Sequence, residues 1–144
     1  MRSEIKIRRL NALDIPEINR IQKERGYEVI YSLYHYVGYG AFDDDKLVAT
    51  AFLFPYNRVP HVDYPNGYVA ELGAIYTDPN YRKQGIATRL LEEILKNASD
   101  DLPGVSAIVA DALDGFYPIA KKQNCLDETE SHRIWWKISK REEL

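Results

Sequence analysis

The sequence predicts an α/β domain with a mixed sheet, and three features carry that expectation. Two β-rich runs, Tyr39 to Phe42 and Lys46 to Phe54, flank the acidic turn Asp43-Asp44-Asp45, which is the pattern of a hairpin. A further β-rich run, Tyr68 to Tyr76, passes through the turn Asp78-Pro79-Asn80 into a helix whose Ile86, Leu90, Leu91, Ile94 and Leu95 trace one apolar face. Val105 to Ala110 is continuously apolar apart from Ser106, as a strand covered on both faces would be. Helices and strands alternate in the order β-α-α-β-β-β-α-β-α-β, and 144 residues is one domain's length, so residues 1–144 are expected to form one domain.

Taken in order, Ile5 to Leu10 alternates with period two and predicts a half-buried strand. Asp14, Pro16 and Glu17 read as the start of a helix carrying Ile15, Ile18 and Ile21 and ending at Gly26. Val29, Leu33 and Tyr36 recur at i, i+4 and i+7, which predicts a second helix from about Glu28 to Val37, stopped by Gly38. The stretch from Pro55 to Gly67 holds three prolines and is expected to be a long loop. Gly73 interrupts the Tyr68–Tyr76 run and marks a bulge or a close backbone approach. Asp100 to Gly104 breaks the amphipathic helix, Asp114 to Lys122 allows a short helix, and Arg133 to Ile138 closes the chain as a strand.

Composition narrows the function. Nineteen Lys and Arg against 22 Asp and Glu give a net charge of −3, without the basic excess that a phosphate backbone demands, so no nucleic acid partner is expected. Leu47 to Phe54 is the longest apolar stretch, far short of the roughly 20 residues that span a bilayer, and no membrane association is expected. The N-terminus has no apolar secretion signal and Cys125 is the single cysteine, which together predict a cytoplasmic protein. His35, His61 and His132 lack the spacing of a metal site, so no metal is expected, and neither a Walker A lysine motif nor a nucleophile elbow is present.

The chemistry points to the segment before the amphipathic helix. Arg82, Lys83, Gln84, Gly85, Ile86, Ala87 and Thr88 lead into its first turn, where unpaired amides and the positive end of the helix dipole meet small residues that admit an anion. Spacing alone leaves two readings open: a diphosphate cradle, or a solvated basic helix start with a capping glycine. The run from Glu71 to Leu91, with Arg82-x-x-Gly85-x-Ala87 after an interrupted strand, resembles the central motif of the GNAT superfamily of acyl-CoA N-acyltransferases. The element order is similar to that fold over nearly the whole chain. The resemblance implies a mostly antiparallel mixed sheet flanked by about four helices, with a bulged central strand near Gly73. It also implies acetyl-CoA as co-substrate. Amides from Gln84 to Thr88 would hold the pyrophosphate, backbone groups of Ile75, Tyr76 and Thr77 would line the pantetheine arm, and an amide near Ala74 or Ile75 would stabilise the thioester oxyanion.

Glu71 stands eleven residues before Arg82, a spacing that resembles the catalytic glutamate of the histone-acetylating branch. Val69, Leu72 and tyrosines are the surroundings expected for it, and a carboxylate there could take the amine proton, directly or through water. The family's general acid is a tyrosine before a Gly-Phe pair. If Asn124-Cys125 stands for that pair, the tyrosine position falls on Ala120, and Tyr117, one turn earlier, is the candidate acid. For the acceptor, the resemblance implies a site between residues 14–37 and the 55–67 loop, where Tyr31, Tyr34, Tyr56, Tyr64 and Tyr68 could cage a cationic amine, with Asp63 nearby. The function expected is transfer of an acetyl group from acetyl-CoA to a primary amine of a small molecule or peptide by direct attack, in a monomer or homodimer. The alternative is a non-catalytic domain that binds acyl-CoA as a sensor or scaffold.

Overall fold

One seven-stranded sheet runs through the molecule in the order β1-β2-β3-β4-β5-β7-β6. The computed structural model describes residues 4–34, 36–55, 68–111, 115–127 and 133–138. The strands are β1 (Ile5–Arg9), β2 (Val37–Asp43), β3 (Lys46–Phe54), β4 (Tyr68–Thr77), β5 (Val105–Asp111), β6 (Leu126–Asp127) and β7 (Arg133–Lys137). Among the described strands only β4 and β5 run parallel, and every other neighbouring pair is antiparallel. Helix α1 (Ile15–Glu24) covers one face, where Ile18 and Ile21 pack with Leu47 and Phe52. Helices α2 (Ile86–Asp101) and α3 (Tyr117–Lys122) cover the other, and Ile86, Leu90, Leu91, Ile94 and Ala98 are buried along α2.

The predicted helix over residues 28–37 does not form. Its end is consumed by β2, which lies between β1 and β3 and satisfies backbone groups on both edges. The preceding residues are irregular, and Asn19 of α1 replaces the missing helical bonds there: its side-chain amide accepts from the Ile30 N–H at 2.8 Å and donates to the Ile30 carbonyl at 2.8 Å. Helical spacing is thus overridden by tertiary bonds, Val37 pairing with Leu53 of β3 and Asn19 holding Ile30. Gly38 fits that slot because a Cβ there would stand 2.5 Å from the Phe52 ring.

The start of α1 also differs from expectation. The capping pair is Asn11 and Asp14, three residues upstream, around a 3-10 turn, Ala12–Asp14. Asp14 makes no side-chain cap to α1 itself; it accepts from the Asn11 N–H and from Arg8 at 2.8 and 2.7 Å. Glu17 does not reach back either, and instead accepts the Leu47 N–H at 2.9 Å and pairs with Arg20, tying α1 to the start of β3. At its other end α1 closes in a Schellman turn, with Gly26 in the left-handed region at φ 75° and the Tyr27 N–H donating to the Gln22 carbonyl.

Two stability measurements follow. Gly38→Ala should cost about 1–3 kcal/mol in urea unfolding, since the added methyl must displace a buried ring. Arg8 donates to the Asp14 carboxyl and holds its pKa below the usual carboxylate range, so this contribution is complete above that range and is lost as pH falls through it. Asp14→Ala should therefore cost about 1 kcal/mol at neutral pH, and the gap to the parent protein should close in acid.

Candidate active site

The site begins with an extra residue in β4. Thr50 pairs with Tyr76 and Phe52 with Gly73, so Ala74 and Ile75 together face the single residue Ala51. This is a β-bulge, and Ala74 sits in the left-handed region at φ 50°. The interruption expected at Gly73 is thus carried by the next residue, while Gly73 keeps its partner and is needed for space, a Cβ there meeting the Phe54 ring at 3.0 Å. Buried Thr50 donates from Oγ1 to the Ala74 carbonyl at 3.1 Å and braces the bulge.

The bulge reverses the side-chain alternation. Leu72 and Ile75, three apart, both pack on the α2 side, while Ala74 lines a pocket on the α1 side. Pairing between β4 and β5 ends at Glu71 with Val109, beyond which β4 stays with β3 and β5 stays with β7. A fork opens there between two parallel strands.

A cleft of about 750 Å3 lies between the far half of β4, the start of α2 and the start of α3. Ile75, Tyr76, Thr77, Arg82, Lys83, Gly85, Ile86, Ala87 and Thr88 line it. Ala74, on the opposite face, and Gln84 are the two expected cofactor residues that do not. Gly115, Phe116 and Ile119 also line it, and the one local signal for them is the apolar spacing of Phe116 and Ala120. Gly85 caps α2 at φ 76° and offers no side-chain bond to the first turn, which leaves the opening amides without a cap from this residue. Lys83 is also left-handed, at φ 62°, and Arg82 donates from Nε to the Thr77 carbonyl at 3.2 Å, folding the basic segment against the end of β4. Tyr81 lines the same cleft and donates to Asp43 at 2.5 Å, a bond that raises its pKa.

Glu71 meets a cation at the fork. Arg133 of β7 places Nη2 3.0 Å from Glu71 Oε1 and Nε 3.3 Å from Asp111 Oδ1, reaching across β5. Both Glu71 and Arg133 are partly buried, at 23% and 19% side-chain exposure. The surroundings expected from Val69, Leu72 and tyrosines thus lack the partner that decides the local charge balance. Sixty-two residues separate Glu71 from Arg133, and no local pattern links them.

Tyr117 opens α3, but its hydroxyl donates to Asp127 of β6 at 2.8 Å, and Lys121 binds the other oxygen of that carboxyl at 2.9 Å. Lys121 and then Tyr117 lower the Asp127 pKa, and the Lys121 pKa is raised by the same bonds. Asn124 adopts φ 63°, with its N–H on the Lys121 carbonyl and the Cys125 N–H on the Ala120 carbonyl, a Schellman close in which Asn124 takes the conformation that favours glycine. Cys125 is buried, and Ala120, at the resemblance's tyrosine position, is fully buried and has no acidic group to offer.

The aromatic cage does not assemble among the described residues. Tyr31 and Tyr34 are 88% and 87% exposed, whereas Tyr68 packs on the α2 side. Tyr56, Tyr64, Asp63, His35, His61 and His132 lie outside the described residues. No described helix is long and apolar enough to cross a membrane.

Gly85→Ala should cost about 1 kcal/mol in denaturant unfolding, because the backbone is left-handed although a Cβ would meet nothing within 4 Å. Gly115→Ala, in equally open space but at a φ outside that region, should stay within about 0.5 kcal/mol of the parent.

Solved structures share this architecture. A predicted acetyltransferase from Clostridium acetobutylicum, crystallised with acetyl-CoA, aligns with a TM-score of 0.64 at 20% identity, covering 89% of this chain and 94% of that one. Arabidopsis thaliana NAA60, in complex with acetyl-CoA, gives 0.67 at 16% identity over 94% and 99% of the two chains. The ribosomal-protein-S18-alanine N-acetyltransferase of Escherichia coli gives 0.69 at 16% identity over 97% of each. No curated protein sequence matches the chain. The model of the Acetyltransferase (GNAT) family matches residues 7–118, more than half of the sequence, and with the bulged β4, the forked sheet and the helix-start cradle inside that span, the chain belongs to the GNAT acetyltransferase family.

Proposed function

We propose that the protein transfers the acetyl group of acetyl-CoA to a primary amine by direct attack. The observation that carries this reading is the fork between β4 and β5, which opens beside the cleft at the start of α2 and leaves the far half of β4 without a β5 partner. Backbone groups of Ile75 and Thr77 would pair with the pantetheine arm, amides from Gln84 to Thr88 would hold the pyrophosphate with Arg82 and Lys83 beside it, and the Ala74 or Ile75 amide would receive the oxyanion. Neighbours crystallised with acetyl-CoA, and one named as an alanine N-acetyltransferase, support both the donor and the kind of bond made.

In this scheme the neutral amine nitrogen bonds to the thioester carbonyl carbon, whose π electrons move to oxygen. Collapse of the tetrahedral species breaks the C–S bond. The amine proton leaves to Glu71, directly or through water, and the departing thiolate takes a proton from Tyr117, which must first give up its bond to Asp127. Arg133 keeps the Glu71 carboxylate at the fork.

A second reading, acyl-CoA binding without turnover, draws on one observation: the two side chains assigned to proton transfer are both engaged, Glu71 with Arg133 and Tyr117 with Asp127.

Thermal unfolding followed by thiol release separates these readings. Acetyl-CoA and CoA at 100 times their dissociation constants should each add about 2.7 kcal/mol, a melting shift of roughly 5–10 °C, whereas ADP at the same concentration should add little. With an amine present, Glu71→Gln should lower kcat by about 100-fold and Tyr117→Phe by at least about tenfold, with the acetyl-CoA shift retained in both. Stabilisation by acetyl-CoA with no amine-dependent thiol release would establish the binding domain instead.

A further inference from the structure

Behind the bulge, on the face opposite the cofactor cleft, lies a pocket of about 120 Å3 beneath α1. Ile18 and Ile21 of α1, Ile30 of the irregular segment, and Phe52 and Phe54 of β3 supply most of its wall, and Ala74 closes it against β4. It is more than a water-sized void. Of its three polar side chains, Thr50 donates to the Ala74 carbonyl, Gln22 donates to the Glu28 carbonyl at 3.2 Å, and the Tyr36 ring stands edge-on to Phe54 with centroids 5.4 Å apart. An occupant therefore meets a mainly apolar surface of aliphatic and aromatic side chains.

The pocket adjoins the place where acyl transfer would occur. Ala74 lines it, and the next residue, Ile75, lines the cofactor cleft. Tyr76 joins the two, packing against the apolar cluster under α1 while lining the cleft. Over the Tyr76 ring stands the Arg25 guanidinium, 4.7 Å from its centroid and 4.7 Å from that of Tyr27. The Tyr76 ring thus already carries a cation of the protein, which repels a second positive group brought near it.

We infer that this pocket selects the acceptor: it receives a compact apolar side chain borne close to the amine that is acetylated, and Arg25 disfavours acceptors carrying a further cation. The inference rests on the acetyl-transfer reading above and extends it to substrate class, an aliphatic amino-terminal residue or its small-molecule equivalent.

The test compares leucinamide, glycinamide and lysinamide as acceptors, with the intact chain and with Ile30→Trp, which fills the pocket from an irregular segment rather than from a helix or strand. Leucinamide should exceed each of the others in kcat/KM by about tenfold or more, and Ile30→Trp should abolish that preference while keeping the melting shift with acetyl-CoA, which reports a folded protein. Equal use of the three amides, or a preference that survives in a folded Ile30→Trp, overturns the inference and leaves acetyl transfer standing. If acetyl-CoA binds but no amine is acetylated, the transfer reading fails, and the pocket is judged by calorimetry on the CoA complex. Saturable binding of leucinamide that Ile30→Trp abolishes sustains the pocket; equal or absent binding of leucinamide and glycinamide overturns it.

Discussion

Ala74 and Ile75 of β4 share a single partner, Ala51 of β3, and the shape of the site depends on that mismatch. A strand with one residue too many bends and twists more strongly than its neighbours. Pairing with β5 ends at Glu71, before the bulge, and from there β4 and β5 each follow their other neighbour. The same mismatch gives Ala74 to the α1 face and Ile75 to the α2 face, so adjacent residues of one strand serve two cavities. Thr50, itself buried, holds the arrangement through a bond from its hydroxyl to the Ala74 carbonyl.

Around this fork the two faces of the sheet are built differently. On the α2 side a long helix with an apolar stripe lies across β2, β3 and β4, and its glycine-capped start presents amides to the cleft. On the α1 side the cover is a ten-residue helix and an irregular segment, joined by the Asn19 bridge to Ile30. The α2 face carries the start of that helix, where diphosphate binding is proposed. The other face, pieced from side chains of separate segments, holds the apolar pocket proposed to select the acceptor.

Charge is distributed on the same plan. In a chain of net charge −3, Arg82 and Lys83 stand at the cleft, Arg133 at the fork and Arg25 over the Tyr76 ring. Arg133 and Glu71 compensate one another at partial burial, where an unpaired charge would be penalised, so neither could be removed alone without cost to the other. Tyr117, Asp127 and Lys121 form a second, solvent-facing network that ties α3 to β6.

The sequence by itself determined the parts that depend on local periodicity and local backbone chemistry. The β2–β3 hairpin, the α2 stripe from Ile86 and the glycine-capped helix start were legible because each is specified by residues within a few positions of one another. The bulge was legible to within one residue, since Gly73 marks close packing against Phe54 and the left-handed turn falls on Ala74. Tertiary structure alone decided the fate of residues 28–37, whose helical spacing yielded to the pairing of Val37 with β3 and to the Asn19 bridge at Ile30. It also decided the partner of Glu71, which comes from a strand 62 residues away, the engagement of Tyr117 with Asp127, and the position of Arg25 over Tyr76. Those contacts depend on which strands lie side by side and which face each residue takes after a bulge, and a single extra residue changes both without leaving a periodic trace.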